Sequence, residues 1–194
     1  MSTELITALF LGIGLSACCG FRVFVPLLAA SLAGHFNVLP FVGNFSGNFA
    51  WLSTWPAIIA FGSASVAEIL AYYIPVVDNF LDTLASPLAM IAGALLTTSI
   101  VPVDNEIWRW ILGLIVGGGS AGIVQSGTVL TRLFSSKATL TTGNAVVSTG
   151  ENAAAIGGSV LAIVIPVAMG AVFILLFIFI IHKMIKRRKK AVEQ

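Results

Sequence analysis

A guanidinium inside an apolar stretch constrains this chain more than any other feature. Residues Gly14 to Pro26 read GLSACCGFRVFVP, with Arg22 in the interior and Gly14 and Gly20 before it. The stretch is apolar enough to sit in a bilayer. A guanidinium in hydrocarbon is costly unless it faces a partner, a cavity or the interface. The fold must therefore bring another group to Arg22.

Composition says that the surroundings are lipid. Of 194 residues, 58% are hydrophobic and 9% charged, and the mean hydropathy is +1.02. So few charges cannot cover a soluble domain, and no hydrophilic block is long enough to form one. The reading is a single transmembrane domain over residues 1–194. The formal net charge is only +2, but Lys183, Lys186, Arg187, Arg188, Lys189 and Lys190 supply six of the ten basic residues. Directly after an apolar run, that basic tail (residues 183–194) reads as a cytoplasmic anchor under the positive-inside rule rather than as a nucleic-acid arm. Cys18 and Cys19, the only cysteines, are adjacent, which suits neither a disulfide framework nor a metal site. Glu4 in place of a basic leader, and an apolar run that continues past the cysteines, argue against a cleaved signal.

The chain divides into apolar segments. Leu5 to Leu32 exceeds a ~30 Å hydrocarbon core and must tilt, break or re-enter, with Pro26 and Gly12, Gly14 and Gly20 as the places for a break. Gly34 to Ala50 reads as an interfacial or re-entrant loop. Trp51 to Ile74 follows, anchored by Trp51 and Trp55 at one end and by Tyr72 and Tyr73 at the other. A third segment runs from Phe80 to Val101 and is interrupted by Pro87. A fourth runs from Trp108 to Phe134. Ala153 to Ile181 is long for one span and short for two. The expected fold is all-α, a polytopic transmembrane helix bundle of five or six spans with broken or re-entrant helices.

The halves 1–101 and 106–185 echo one another. Ser16-Ala17 with Arg22 opens one, and Ser120-Ala121 with Gln125 opens the other. Glu68 and Glu151 follow, and Ile-Pro-Val recurs at 74–76 and 165–167. Unequal spacings leave two readings, an inverted repeat of the kind transporters use and chance likeness among Gly/Ala/Val-rich segments.

Glu68, Asp82 and Glu151 are the acidic candidates at membrane depth, with Arg22 and Arg132 as matching bases. They read either as lining of an ion or proton pathway or as ion pairs that hold the bundle. Small residues every four positions (Gly12, Ser16, Gly20; Gly118, Gly122, Ser126) favour close helix packing. The alternative is that Gly117, Gly118 and Gly119 unwind beside a cavity, with Ser16, Ser120 and Gln125 as neutral hydrogen bonders. Ser148 to Asn152 reads as a capped helix start. Of the catalytic and nucleotide-binding motifs, no Ser-His-Asp set, HExxH, Walker loop or dinucleotide fingerprint is found.

The stretches GLSACCGFRVFVPLL, AEILAYYIPVVDNFLDTLASP, GGGSAGIVQ and TTGNAVVSTGEN resemble a family of small bacterial integral membrane proteins known only as a domain of unknown function. The resemblance implies a membrane location and an all-helical fold, and brings no activity, substrate or catalytic residue. In general style the chain is also similar to lipid-phosphate flippases with re-entrant loops and intramembrane Arg and Glu.

The expected function is a transporter or channel-like permease for a small polar solute or ion in a bacterial inner membrane, with the C-terminus cytoplasmic. Arg22, Glu68 and Glu151 would be its charged lining, and protonation of Glu68 would loosen a hold on Arg22. A lipid or lipid-phosphate carrier or scramblase is the runner-up, and a non-transporting assembly protein the third class. No enzyme activity, cofactor, metal or nucleic-acid partner is expected. Membrane lipids are, and the small-residue faces could equally pack two copies together.

Overall fold

The computed structural model describes residues 3–38, 45, 47–139 and 144–192, but not the side chains of 47, 75–82, 136–139, 144, 181 and 183–192. Among the described residues all regular structure is helical: α1 (Thr3–Cys19), α2 (Phe24–His35), a 3-10 turn (Gly47–Ser53), α3 (Trp55–Ala71), α4 (Pro75–Ile100), α5 (Glu106–Leu112), a π-helical stretch (Gly113–Gly118), α6 (Gly119–Thr139), α7 (Asn144–Val164) and α8 (Pro166–Val192).

Local chemistry sets most of these boundaries. Pro56, Pro75 and Pro166 lie in the first turns of α3, α4 and α8, where a missing N–H costs nothing. The Asn105 side chain accepts from the Trp108 amide at 3.1 Å and starts α5. The first apolar run breaks at residues 20–23, at Gly20 rather than at Pro26, which is accommodated in the first turn of α2.

Four expectations need correction. Pro87 does not interrupt the third segment: α4 runs through it and starts earlier than expected, at Pro75. A proline removes one ladder bond, which packing against neighbouring helices can offset. The glycine tract 117–119 is wound, its first part as π-helix. Ser148 to Asn152 is not a helix start but lies inside α7, which begins at Asn144. The run 153–181 belongs to two helices, divided at Ile165 ahead of Pro166.

Close contacts give the helix directions. Gly12 faces Thr97 while Ser16 bonds to Gly93, so α1 and α4 are antiparallel. Gly14 lies on Ala162 and Gly158 on Cys18, so α1 and α7 are antiparallel too. Gly14 also meets Met169, and Phe21 shares a cavity wall with Leu176 and Ile180, so α8 returns alongside α1. Gly34 meets Ser53, Gly62 meets Leu28, and Glu68 reaches Phe24, which runs α3 back along α2. The helices thus alternate in direction, and the start of α1 and the end of α8 lie at opposite ends of the bundle.

The seam of α1, α4 and the π-helical stretch is built by absent side chains. A Cβ on Gly93 would sit 2.6 Å from the Gly117 carbonyl, and one on Gly117 would collide with the Gly93 carbonyl. A Cβ on Gly20 would sit 2.6 Å from the Ala121 carbonyl. Small residues here let backbones touch; of the four-residue spacings, Gly12, Ser16 and Gly20 lie at such contacts, while Gly93 and Gly117 stand outside both and Ser126 is exposed. Gly113, at the start of the π-helical stretch, and Gly117, four residues on, both face α4.

The distribution of polarity is that of a protein in lipid. Ile59, Ile91, Ile115 and Leu175 are more than 60% exposed, whereas Arg22 is 1% and Arg132 3% exposed. Thr83–Ile100, Glu106–Ser135 and Ala145–Val164 are long and apolar enough to cross a bilayer, and Thr3–Cys19, Phe24–His35, Trp55–Ala71 and Pro166–Ile180 are shorter apolar helices. The chain is membrane-associated.

Candidate functional site

The group that answers Arg22 is Glu151. The 20–23 turn between α1 and α2 carries Arg22 to the end of the bundle where α3 and α6 finish and α7 begins. Ser148, Glu151 and Asn152 fall three and four residues apart and so share one face of α7. Glu68 and Tyr72 are likewise four apart at the end of α3.

Arg22 is held from several sides. Its Nε donates to Asn152 Oδ1 at 2.6 Å, and its Nη1 to Glu151 Oε2 at 2.9 Å and to the Phe21 carbonyl at 2.8 Å. Its Nη2 donates to the Ser148 carbonyl at 3.2 Å. Arg132 reaches the same carboxylate: its Nε donates to Glu151 Oε1 at 3.1 Å, its Nη2 pairs with Oε2, and Nη2 also meets Ser148 Oγ at 3.3 Å. Two guanidiniums therefore share one buried carboxylate. Both guanidiniums also lie over the Tyr72 ring, with the Arg22 Cζ 4.0 Å and the Arg132 Cζ 4.2 Å from its centroid. Each such contact with a ring face is worth ~0.5 kcal/mol when exposed and ~2 kcal/mol or more when desolvated.

Glu68 has a different task from the one the sequence suggested. Its carboxylate accepts from the amides of Val23 at 2.7 Å and Phe24 at 3.0 Å, not from the Arg22 guanidinium. Those are orphan donors at the start of α2, whose own N-cap residue, Val23, provides no side-chain cap. A carboxylate from α3 thus caps α2, in the position the helix dipole favours for an anion. Asn152 extends the cluster outward: its Nδ2 donates to Tyr73 Oη at 3.3 Å, and Tyr73 Oη and Thr149 Oγ1 are 3.0 Å apart.

The remaining nominated residues lie elsewhere. Ser16 Oγ donates to the Gly93 carbonyl at 2.7 Å and is 2.9 Å from Thr97 Oγ1, inside the α1–α4 seam. Ser120 Oγ donates back to the Val116 carbonyl at 2.6 Å. Gln125 is buried where α6 meets Gly20. Gly117 and Gly118 pack on α4, while a Cβ on Gly119 would meet open space. The side chain of Asp82 lies outside the described residues, as do residues 140–143. Among the described residues, no three of His, Cys, Asp and Glu come together as a metal ion requires.

Cavities flank the cluster on two sides. One of about 310 Å³ separates α3 from α4, with Glu68 and Tyr72 at its wall. Another of about 410 Å³ lies between α6, α7 and α8 and reaches Glu151.

Sequence reasoning named Glu151, Arg22 and Arg132 but read Tyr72 as an interface anchor. Its four-residue spacing from Glu68 was the available signal. Ser148 and Asn152 share a face with Glu151 once that segment is a helix interior rather than a cap.

Fold and site define an all-helical membrane protein with a buried cluster of two arginines and a shared glutamate. The chain belongs to the family described as a domain of unknown function, DUF4126, which matches residues 9–186. Among curated proteins and among solved structures nothing matches it.

Proposed function

We propose that the protein is a transporter or channel-like permease of the bacterial inner membrane, moving a small polar solute or ion. The observation that carries this reading is the convergence of Arg22 and Arg132 on the single carboxylate of Glu151. Two guanidiniums around one carboxylate form an anion site that holds an internal anion, and an anionic solute can compete for it. Intramembrane ionisable groups of this kind commonly mark solute pathways. Arg22 lies within the break between α1 and α2, so exchange of its counter-ion would be coupled to a hinge. In this reading Glu68 acts on the hinge through the α2 amides. The alternating helices suit up to seven crossings, more than the five or six expected, with α2 the shortest. A cytoplasmic tail then puts the start of α1 on the opposite side, and the inverted repeat remains a proposal on motif order alone.

The test is flux in proteoliposomes with small anions and neutral polar solutes. Arg22→Lys should reduce anion flux at least ~tenfold, because an ammonium cannot reproduce the planar fork. Unchanged flux in that variant would sink the proposal. A lipid carrier is the second reading, favoured by cavities that open between helices beside the cluster. It predicts flipping of labelled lipid without solute flux.

A further inference from the structure

The cavity between α6, α7 and α8 is shaped for an occupant that the chain does not supply. Two of its wall residues, Gly127 on α6 and Gly150 on α7, would carry a Cβ into open space, with nothing within 4 Å. They differ in this from Gly93, Gly113 and Gly117, which are small because another backbone lies against them. A helical glycine is unfavourable relative to alanine by roughly 0.5–1 kcal/mol. At these two positions no close helix contact offsets that cost. What they do is keep the cavity wide.

The polar atoms on the walls are already engaged. Thr131 Oγ1 donates to the Gly127 carbonyl at 2.9 Å, and Thr128 Oγ1 to the Gln125 carbonyl at 2.9 Å. The Glu151 carboxylate is taken by Arg22 and Arg132. The remaining walls include Phe21, Ile123, Leu176 and Ile180. The cavity therefore offers contact to a hydrocarbon chain and no hydrogen bond to a headgroup.

The charge for a headgroup comes next along α8. In the sequence, Lys183, Lys186, Arg187 and Arg188 follow Ile180 within eight residues, at the end of the apolar run of α8. Basic residues just outside the hydrocarbon attract anionic lipid by ~1 kcal/mol each.

We propose that the α6–α7–α8 groove is a binding site for an anionic glycerophospholipid, with one acyl chain along Gly127 and Gly150 and the phosphate at the basic run that opens with Lys183. The inference stands apart from the permease reading and holds whether or not a solute moves.

The same glycines make the test clean. Full-length protein in detergent is titrated with phosphatidylglycerol or with phosphatidylcholine of identical chains, and bound lipid is counted by native mass spectrometry. Wild type should retain phosphatidylglycerol over phosphatidylcholine by about tenfold, the preference that one to two basic residues confer. Gly127→Leu and Gly150→Leu introduce a side chain into the groove at positions where a Cβ has open space, and each should lose the bound lipid. Gly157→Leu, also facing open space on α7 but outside the groove wall, should keep it. Lys183→Gln with Arg187→Gln should abolish the preference for phosphatidylglycerol. Retention by both groove variants overturns the proposal, as does equal retention of the two lipids by wild type. Should the leucine variants misfold, the tail variant decides: a lost preference supports the site, and an unchanged one overturns it.

Discussion

Two regions of this molecule hold helices together by opposite means. In the seam of α1, α4 and the π-helical stretch, backbones touch across Gly93 and Gly117, and Ser16 bonds to Thr97 and to the Gly93 carbonyl. At the end of the bundle, long charged side chains span between elements, and Arg22, Arg132, Glu151 and Tyr72 meet through their tips. The seam tolerates almost no displacement, because carbonyl-to-backbone contact leaves no soft degree of freedom. The cluster is joined instead through side-chain tips on long stems, whose rotatable bonds give it freedom that backbone contact lacks. Rigidity and adjustability are thus set apart along one helix, α1, with Ser16 in the seam and Arg22 just past its end.

The sharpest way to break this contrast is at the shared carboxylate. Glu151→Leu leaves two guanidiniums buried without it and should cost about 3–5 kcal/mol, read from unfolding in mixed micelles. A stability equal to wild type would mean that the cluster is not desolvated. Next in size is the seam itself. Gly93→Ala drives a methyl toward the Gly117 carbonyl and the Ala121 methyl and should cost about 1–3 kcal/mol in the same assay. Because the seam is the rigid region, the loss should leave anion selectivity in liposomes unchanged. Altered selectivity would join the two regions.

Smaller effects sharpen the comparison within the cluster. Tyr72→Leu removes the ring that both guanidiniums contact and should cost about 1–2 kcal/mol, with Tyr72→Phe recovering most of it. Equal losses in the two variants would assign the effect to the hydroxyl instead. Glu68→Gln keeps an acceptor for α2 but removes the charge, and should cost about 1 kcal/mol. Its signature is local: faster hydrogen exchange at the Val23 and Phe24 amides. Unchanged protection there would show that the cap is dispensable.

The sequence made the membrane setting and the helical class plain, since apolar excess and clustered basic residues are composition effects that need no tertiary knowledge. It also flagged Arg22 as a charge in need of a partner. The partner was not readable, because Arg22 and Glu151 are 129 residues apart and no periodicity links them. Glu68, 46 residues away by the numbering and just as acidic, was the more plausible mate on sequence alone. Only the fold reveals that its oxygens go to amides. The glycines show the same limit. Those at 93 and 117 and those at 127 and 150 look alike in the sequence, yet one pair is pressed against backbone and the other faces empty space.

The cap that Glu68 places on α2 also has a mechanical consequence. α3 lies along α2 and is separated from α4 by the 310 Å³ cavity, so a lateral push on α3 meets little resistance from that side. The carboxylate clamps the end of α3 to the first amides of α2, so in the permease we propose the two helices would move as one leaf of a hinge. Its pin would be residues 20–23, where torque would turn the backbone from which Arg22 hangs.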